Sequence, residues 1–213
     1  MTSKNFDKSY RNGSVHIIAG VDEAGRGPLA GPVVAAAVIF SEDTVIEGVD
    51  DSKRVPEKMR ERLYDEILDN CIAHGFGIVK EEEIDKINIL QASLKAMSIA
   101  AGKLKPKPDL ILIDGNKSFA GRIPTETIIK GDSKSFSIAA ASILAKVKRD
   151  RIMRRASKKY PDFLWHKNKG YATRDHIKAI KEKGITPLHR KTFLSNILEN
   201  PYKQFVLELQ DDQ

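Results

Sequence analysis

The stretch that decides the fold of this chain reads His16-Ile17-Ile18-Ala19-Gly20-Val21-Asp22-Glu23-Ala24-Gly25-Arg26-Gly27-Pro28-Leu29-Ala30-Gly31-Pro32. A short apolar run leads directly into two adjacent carboxylates and then into a turn rich in Gly and Pro. Burial of one carboxylate is costly, and burial of two costs more unless a cation compensates their charge. Because hard divalent cations take carboxylate oxygens as ligands, the stretch predicts a strand that ends at a metal-binding acidic pair.

The regions on either side of this stretch predict an α/β architecture. Short apolar runs with β-branched residues predict strands over residues 17–21, 33–40, 73–80, 110–114 and 125–129. Apolar residues at helical spacing predict helices over residues 57–70, 81–102 and 134–157, followed by a helical, basic remainder from residue 160 to 213. This order of elements predicts a sheet with an antiparallel hairpin side and a parallel side.

Acidic residues mark the ends of three predicted strands. They are Asp22, Glu23, Asp114 and Asp132. In open α/β sheets the ligand site lies beyond the carboxyl ends of the strands, so the four carboxylates converge if their strands are neighbours. Two Mg²⁺ or Mn²⁺ ions about 4 Å apart would balance this charge and suit phosphoryl transfer. Each acid alone could be a turn residue or a helix cap, Asp132 in particular, but the four together favour metal-assisted cleavage of a phosphodiester.

The charge of the chain is unevenly distributed. The 213 residues carry a formal net charge of +7, and a hydrophobic content of 41% suffices for a core. Residues 130–191 hold 18 basic and 5 acidic side chains, a local net charge of +13, whereas the rest of the chain has a net charge of −6. Such an excess is typical of a surface that follows a phosphate backbone. A basic surface without such a partner is the alternative.

Cysteine content and hydropathy predict the cellular compartment. The single Cys71 excludes an internal disulfide and a zinc–thiolate cluster, and it is expected to be a small core residue. Residues 1–12 lack the apolar core of a signal peptide, and no apolar stretch approaches the ~18 residues of a membrane span. We therefore expect a cytoplasmic protein without a membrane partner.

The opening stretch and six later motifs together resemble bacterial ribonuclease HII, the type 2 ribonuclease H. The later motifs are Asp51-Ser52-Lys53, Ile113-Asp114-Gly115, Gly131-Asp132-Ser133, Ala139-Ala140-Ala141-Ser142-Ile143-Leu144-Ala145-Lys146-Val147-Lys148-Arg149-Asp150, Asn168-Lys169-Gly170-Tyr171-Ala172-Thr173 and His189-Arg190. The motifs occur in order from about residue 17 to residue 193, which is nearly the whole chain. Ala172 departs from the family pattern, which often has Gly or Pro there, and this affects only the local shape of the loop.

The resemblance implies a ribonuclease H-like fold, a mixed five-stranded sheet flanked by helices with a C-terminal helical region. It divides the chain into a polar extension (residues 1–16), a catalytic core (17–157) and a C-terminal substrate-binding region of the same domain (158–213). It implies an endonuclease that cleaves RNA in RNA/DNA hybrids and nicks duplex DNA 5′ to an embedded ribonucleotide. Hydrolysis with two metal ions, Mg²⁺ or Mn²⁺, would leave 3′-hydroxyl and 5′-phosphate ends, as ribonucleotide removal from DNA requires.

The resemblance also assigns site residues. Asp22, Glu23, Asp114 and Asp132 become the metal-binding catalytic acids. The turn Gly25-Arg26-Gly27 becomes the ribose reader, since glycines let the backbone approach a 2′-hydroxyl. Tyr171 is expected to stack on the sugar of the following deoxynucleotide and to sense the junction, although by itself it would be interpreted as a half-buried core tyrosine. The predicted phosphate contacts are Ser52, Lys53, Ser133, Lys146, Asn168 and Lys169.

Several residues in the basic segment have more than one possible role. Asp150 is interpreted as an ion-pair partner rather than a metal ligand. A further set of cations either extends the substrate footprint or forms a solvated helix face; it comprises Lys148, Arg149, Arg151, Arg154 and Arg155. None of the five histidines has the spacing of a metal-ligand pair, and His166, His176 and His189 are expected on the DNA face rather than in catalysis.

Three other functions compete with this interpretation. Ribonuclease HIII would have an N-terminal platform, for which the 16 residues before the first strand are too few. A noncatalytic hybrid-binding module would lack one of the acids, and a P-loop enzyme would need Gly-Lys-Ser/Thr. We also expect a monomer. The C-terminal Gln204-Phe205-Val206-Leu207 does not match a clamp-binding peptide and is interpreted as part of a terminal helix.

Overall fold

A mixed five-stranded sheet forms the centre of the computed structural model, which describes residues 4–198. The strands are β1 (Ile18–Ala24), β2 (Val33–Ile39), β3 (Ala73–Val79), β4 (Leu110–Asp114) and β5 (Thr125–Ile128). They lie in the order β3-β2-β1-β4-β5. The pairs β1–β2 and β2–β3 are antiparallel, and the pairs β1–β4 and β4–β5 are parallel. The predicted sheet, with one antiparallel side and one parallel side, is confirmed.

Seven α-helices and three short 3₁₀ turns surround the sheet within residues 4–198. The helices are α1 (Lys4–Lys8), α2 (Glu57–Asn70), α3 (Glu81–Gly102), α4 (Phe136–Lys159), α5 (Trp165–Asn168), α6 (Arg174–Lys183) and α7 (Ser195–Leu198). The 3₁₀ turns are Gly131–Ser133, Pro161–Phe163 and Lys191–Phe193. Over this part of the chain, no helix is both long and apolar enough to cross a membrane.

Small residues let the two long helices lie close to opposite faces of the sheet. On one face, a Cβ added to Gly20 of β1 would lie 2.2 Å from the main-chain carbon of Ser137 in α4. On the other face, a Cβ added to Gly77 of β3 would lie 1.8 Å from the carbonyl oxygen of Ala96 in α3. All seven residues of β2 are buried between these layers, so the sheet is flanked by helices as expected.

The structure corrects several predicted boundaries. Strand β1 continues through the acidic pair, because its ladder with β2 extends to the pair Ala24 and Val34. Helix α3 is interrupted at Asn88, whose φ is +65° and whose side chain accepts from the backbone N–H groups of Leu90 and Gln91. The helix predicted over 134–157 begins instead at Phe136, after the turn Gly131–Ser133.

Over the described residues, the region after α4 consists of short helices and turns, which agrees with a helical remainder interrupted at Pro161 and Pro187. Its apolar cluster, which includes Phe163, Trp165 and Ile180, packs on Leu29 and Ala30 of the glycine-rich stretch. The C-terminal region is therefore packed directly against the turn that follows the acidic pair. The boundary at residues 157 and 158 stays a prediction, and the peptide at residues 204–207 lies outside the described residues.

Candidate active site

The sheet brings the predicted acids to one edge. Val21 of β1 pairs with Ile113 of the parallel neighbour β4, so that the next residue on each strand, Asp22 and Asp114, lie side by side. Asp132 lies in the turn Gly131–Ser133 that follows β5, the strand beyond β4. This is the convergence at the carboxyl ends of neighbouring strands that the sequence predicted.

A short hydrogen bond fixes Asp114 relative to the turn that carries Asp132. The Asp114 Oδ1 atom accepts from the Gly131 N–H at 2.6 Å, while the Asp132 N–H lies 3.4 Å from the same oxygen. Helix α4 is capped by Ser135, whose hydroxyl accepts from the Ile138 N–H at 3.1 Å. The alternative that Asp132 caps this helix is therefore wrong.

Burial, together with the charges of neighbouring acids, raises the pKa values of Asp22, Glu23 and Asp132. Asp22 is 5% exposed, and its pKa is raised well above the usual value by burial first and then by the charges of Glu23 and Asp114. Burial likewise raises the pKa of Glu23, against the nearby charge of Arg26. Burial, Asp114 and Asp51 raise that of Asp132. The site therefore holds more negative charge than its surroundings compensate.

This donor set suits a hard divalent cation, because every member offers carboxylate oxygens and a bound cation would lower the pKa values that crowding has raised. In the part of the chain that the structure describes, no three His, Cys, Asp or Glu side chains are already arranged as a complete metal-ligand group. Coordination by three of the acids would therefore require side-chain rotation. The side chains that could hold the metal are those of Asp22, Glu23, Asp114 and Asp132.

Two exposed cations lie beside the acids. The Lys53 Nζ atom is 3.8 Å from Asp132 Oδ2, and the lysine side chain is 82% exposed. The Arg26 guanidinium is 3.3 Å from Glu23 Oε1, with the arginine side chain 55% exposed. Burial lowers the pKa of Lys53, but the charges of the surrounding acids, with Asp51 and Asp132 first, outweigh this effect and raise it. Both side chains are accessible to a phosphate group.

The other predicted phosphate contacts near the acids are engaged within the protein. Lys146 Nζ lies 2.8 Å from Asp150 Oδ1, so Asp150 is an ion-pair partner as expected. Ser52 is buried, and its hydroxyl accepts from Ser142 Oγ at 2.9 Å. The Ser133 hydroxyl donates to a neighbouring backbone carbonyl in its own turn. Any contact of Ser52 with a phosphate would require its side chain to become accessible.

Asn168 and Lys169 shape the loop that carries Tyr171. The Asn168 side chain donates to the Phe163 carbonyl and accepts from the Gly170 N–H, both at 2.8 Å. Lys169 is buried with a φ of +52°, and its ammonium donates to the carbonyl of His166. These side chains therefore hold the loop in place, whatever contacts they make with a substrate.

Tyr171 is exposed and faces the glycine-rich turn. It is 44% exposed, so its interpretation as a half-buried core tyrosine is wrong. A Cβ added to Gly27 would lie 3.9 Å from Cε1 of the tyrosine ring. Lys146 Nζ lies 5.9 Å from the ring centroid. The ring therefore stands between the turn and a basic side chain, and it is partly accessible to a ligand.

Two arginines from segments far apart in the chain contact the glycine-rich turn from the protein interior. Arg149 of α4 and Arg190 are 1% and 0% exposed. Gly25 has a φ of +99°, and a Cβ there would lie 2.1 Å from Arg149 Nε, so this position requires glycine. Sequence reasoning placed Arg149 on a surface and gave Arg190 no role; the only sequence signal for either was its place in a family motif.

The other cations of the predicted substrate footprint on α4 mostly contact neighbouring parts of the protein. Arg151 and Arg154 both contact Glu61 of helix α2, at 2.7 and 2.6 Å. Lys148 Nζ lies 5.1 Å from the ring centroid of Phe76. Arg155 is exposed. Interactions within the protein therefore account for the first three of these cations, while Arg155 remains on the surface.

Two of the three C-terminal histidines lie in the core rather than on the expected DNA face. His176 and His189 are 0% and 2% exposed, and their Nε2 atoms are 3.2 Å apart. Trp165 Nε1 also donates to His176 Nε2 at 3.0 Å. Burial lowers both pKa values, and with the neighbouring His176 it lowers the pKa of His189 to about 4. His166 is exposed.

We expect this histidine pair to make the fold acid-sensitive. The pKa of His189 is lower in the folded state than in the unfolded state, so the unfolded chain binds more protons below about pH 6.5. Stability is therefore lost as the pH falls from about 6.5 towards about 4, by roughly 1–2 kcal/mol at pH 5. Thermal unfolding of the wild type and of His189→Gln at pH 7 and pH 5 measures this loss. It should be larger in the wild type, and equal losses would contradict the assignment.

Known proteins identify the family of the chain. Residues 19–196 match the family model described as Ribonuclease HII. The chain is 55% identical over 193 residues to the ribonuclease HII of Acetivibrio thermocellus, covering 91% of this chain and 75% of the relative. It is 53% identical over 189 residues to that of Rickettsia bellii, covering 89% and 94%.

A solved structure agrees with this match. The ribonuclease H2 from Pyrococcus horikoshii OT3 superposes with a TM-score of 0.72 at 28% identity, covering 86% of this chain and 97% of that protein. The family match favours type HII over the type HIII alternative. With the acids gathered at the sheet edge, the chain therefore belongs to the ribonuclease HII family, whose members are endonucleases that cleave RNA in RNA/DNA hybrids.

Proposed function

We propose that this protein nicks duplex DNA on the 5′ side of an embedded ribonucleotide, as well as cleaving hybrid RNA, and that it acts in removing ribonucleotides from DNA. The observation that carries the proposal is the position of Asp22 and Asp114 on adjacent parallel strands, directly before a glycine-rich turn that faces Tyr171. Acids that can hold a metal thus adjoin a surface that can distinguish sugars.

The proposed cofactor is Mg²⁺ or Mn²⁺, held by Asp22, Glu23, Asp114 and Asp132. When bound there, two such ions would supply an activated water and would stabilise the leaving oxygen, leaving 3′-hydroxyl and 5′-phosphate ends. The buried Asp22 has a raised pKa because the charges of Glu23 and Asp114 add to its burial. The carboxylates of the chain thereby provide a strong electrostatic preference for a divalent cation at this position.

Substrate selection is assigned to the backbone turn and the tyrosine. Only the glycines at positions 25 and 27 let the main chain approach a 2′-hydroxyl, the group that separates RNA from DNA. The exposed Tyr171 would stack on the next sugar, where an added hydroxyl would crowd its ring. Arg26 and Lys53 are the cations placed to contact the flanking phosphates. Because phosphate contacts carry no sequence information, we expect little base preference.

Two further expectations belong to this proposal. The enzyme is expected to act as a monomer in the cytoplasm, on RNA/DNA hybrids and on DNA duplexes with embedded ribonucleotides. A noncatalytic hybrid-binding role is the second candidate, and the presence of all four acids argues against it.

A nicking assay tests the proposal directly. A labelled DNA duplex with one ribonucleotide is incubated with the protein in Mg²⁺, in Mn²⁺ or in EDTA, beside an all-DNA duplex. We expect a metal-dependent nick immediately 5′ of the ribonucleotide and an intact all-DNA control. If folded protein gives no nick with either metal but cleaves a long RNA/DNA hybrid, the enzyme is restricted to hybrids and the proposal is wrong.

A further inference from the structure

A single buried guanidinium holds three carbonyls of the glycine-rich turn. Arg190 Nη2 donates to the Gly25 carbonyl at 2.6 Å, and Nη1 donates to the Arg26 carbonyl at 3.0 Å. Both Nε and Nη2 donate to the Gly31 carbonyl, at 2.9 and 2.7 Å. The fork of Arg190 thus fixes the beginning and the end of the turn from the protein side.

This arrangement orients the opposite edges of the same peptide groups. In a trans peptide the C=O and the following N–H point in opposite directions. Because the carbonyls of Gly25 and Arg26 point inward to Arg190, the N–H groups of Arg26 and Gly27 point outward. No backbone carbonyl within residues 4–198 accepts from either N–H group. They are therefore two donors left for a ligand, and since a Cβ on Gly27 would lie 3.9 Å from the Tyr171 ring, a sugar hydroxyl or a phosphate oxygen beside that ring could accept them.

The Arg190 guanidinium is buried, although burial of a charge is energetically unfavourable. Over the described residues, Arg190 forms no ion pair with a carboxylate within 4.0 Å. Burial and the neighbouring charge of Arg149 lower its pKa to about 9. Buried arginines are ordinarily paired with acids. A planar guanidinium offers several donors in fixed directions on three nitrogen atoms, whereas the three donors of a lysine all lie on one atom and cannot reproduce this spacing.

The segment that carries Arg190 also anchors Tyr171. The Thr186 N–H donates to His189 Nδ1 at 2.9 Å, so the His189 proton lies on Nε2 and points to His176 Nε2 at 3.2 Å. His176 Nδ1 in turn donates to the carbonyl oxygen of Tyr171 at 2.8 Å. Since His189 precedes Arg190 in the chain, the turn and the tyrosine are held by adjacent residues of one segment.

We propose that Arg190 is a positioning residue for ribose recognition, which orients the amides of Arg26 and Gly27 towards the substrate while the adjoining His189 and His176 keep Tyr171 aligned with them. The turn and the tyrosine then act as one unit. This inference rests on the proposed nicking function, because it assigns the arrangement of the groups that would select the ribonucleotide.

Paired lysine variants test the positioning role. Arg149 is the matched control, since it is equally buried and donates to three carbonyls, those of Ala30, Pro32 and Lys169, outside residues 25–27. We expect Arg190→Lys to lower kcat/KM on the single-ribonucleotide duplex about 30-fold. Its affinity for an all-DNA duplex in Ca²⁺, measured by fluorescence anisotropy, should stay within about twofold because the exposed cations remain.

Arg149→Lys should lose as much thermal stability as Arg190→Lys but distinctly less kcat/KM. If the loss of kcat/KM in the two variants is proportional to their decrease in melting temperature, the role of Arg190 is structural and the inference is wrong. Should Arg190→Lys not fold, His189→Gln leaves the guanidinium in place and tests the link alone. It is expected to reduce the preference for a ribonucleotide followed by DNA over continuous RNA, and an unchanged preference would overturn the link.

A double-mutant cycle tests whether the turn and the tyrosine act together. If they form one unit, Arg190→Lys combined with Tyr171→Ala should be hardly worse than the more damaging single variant. Strictly multiplicative losses would overturn the coupling. A wild-type protein that cleaves hybrids but never nicks at one ribonucleotide would instead refute the proposed function, which separates the two failures.

Discussion

Asp22→Asn should abolish cleavage, by at least about 10³-fold, while leaving affinity for a hybrid largely intact. Asn keeps the shape of the side chain and can still accept the Glu23 N–H bond, which is 2.7 Å long at Asp22 Oδ1. It removes the charge at the centre of the acidic cluster, on which the proposed metal binding depends. The basic side chains proposed to contact the substrate backbone are untouched, so gel-shift affinity should persist when the rate is lost.

The same variant should stabilise the metal-free protein. The folded-state pKa of Asp22 is raised, so the folded state favours the protonated form, and stability is lost as the pH rises through that pKa. At pH 7.5 in EDTA, Asp22→Asn should therefore melt higher than the wild type, by about 2–4 °C per kcal/mol of relief. Added Mg²⁺ or Mn²⁺ should raise the wild-type Tm and leave the variant nearly unchanged.

Asp65→Asn on helix α2 is a matched control, since it removes a carboxylate that is 68% exposed and lies in no predicted site. It should retain cleavage and show no gain in Tm. A simultaneous loss of cleavage and hybrid affinity in Asp22→Asn, with a lower Tm, would indicate a folding defect and count against the metal-site assignment.

The sheet and its acids were predictable because local patterns determine them. Buried apolar runs such as residues 110–114 identify strands by composition, and acids at their ends indicate the ligand-binding edge. The extension of β1 through Asp22 and Glu23 was not predictable from hydropathy, because it depends on the ladder with β2. The break in α3 at Asn88 was not predicted either, because apolar residues continue at helical spacing on both sides of it.

The supports of the site could not be predicted, because they join segments far apart in the chain. Charged residues are almost never fully buried without a charged partner, so sequence alone places Arg149 and Arg190 on the surface. Their partners are backbone carbonyls, which no side-chain pattern reveals, and for Arg190 they lie 159 to 165 residues away. His176 and His189 were expected on the DNA face and lie in the core instead, because their side chains hydrogen-bond to each other and, for His176, to Trp165. What the sequence did contain was the membership of Arg149, His189 and Arg190 in family motifs, without the physical cause.

Tyr171→Ala should reduce nicking at an embedded ribonucleotide by roughly 10- to 100-fold, since stacking on an aromatic ring contributes about 1–3 kcal/mol. Because the side chain is 44% exposed, its removal should leave Tm nearly unchanged. Affinity for an all-DNA duplex should change by no more than about threefold, because phosphate contacts dominate it. Single-turnover rates and anisotropy titrations give the two quantities.

Tyr171→Phe separates the ring from its hydroxyl and should retain most of the nicking activity, because stacking and exclusion depend on the ring. The junction supplies the sharper test. In the wild type, cleavage should be slower when the nucleotide that follows the recognised ribonucleotide is also a ribonucleotide. The 2′-hydroxyl of that second ribonucleotide would crowd the Tyr171 ring. In Tyr171→Ala that penalty should disappear, so that a substrate with two consecutive ribonucleotides is cleaved as fast as one with a single ribonucleotide. If the penalty survives in the alanine variant, another group senses the junction and Tyr171 only contributes affinity.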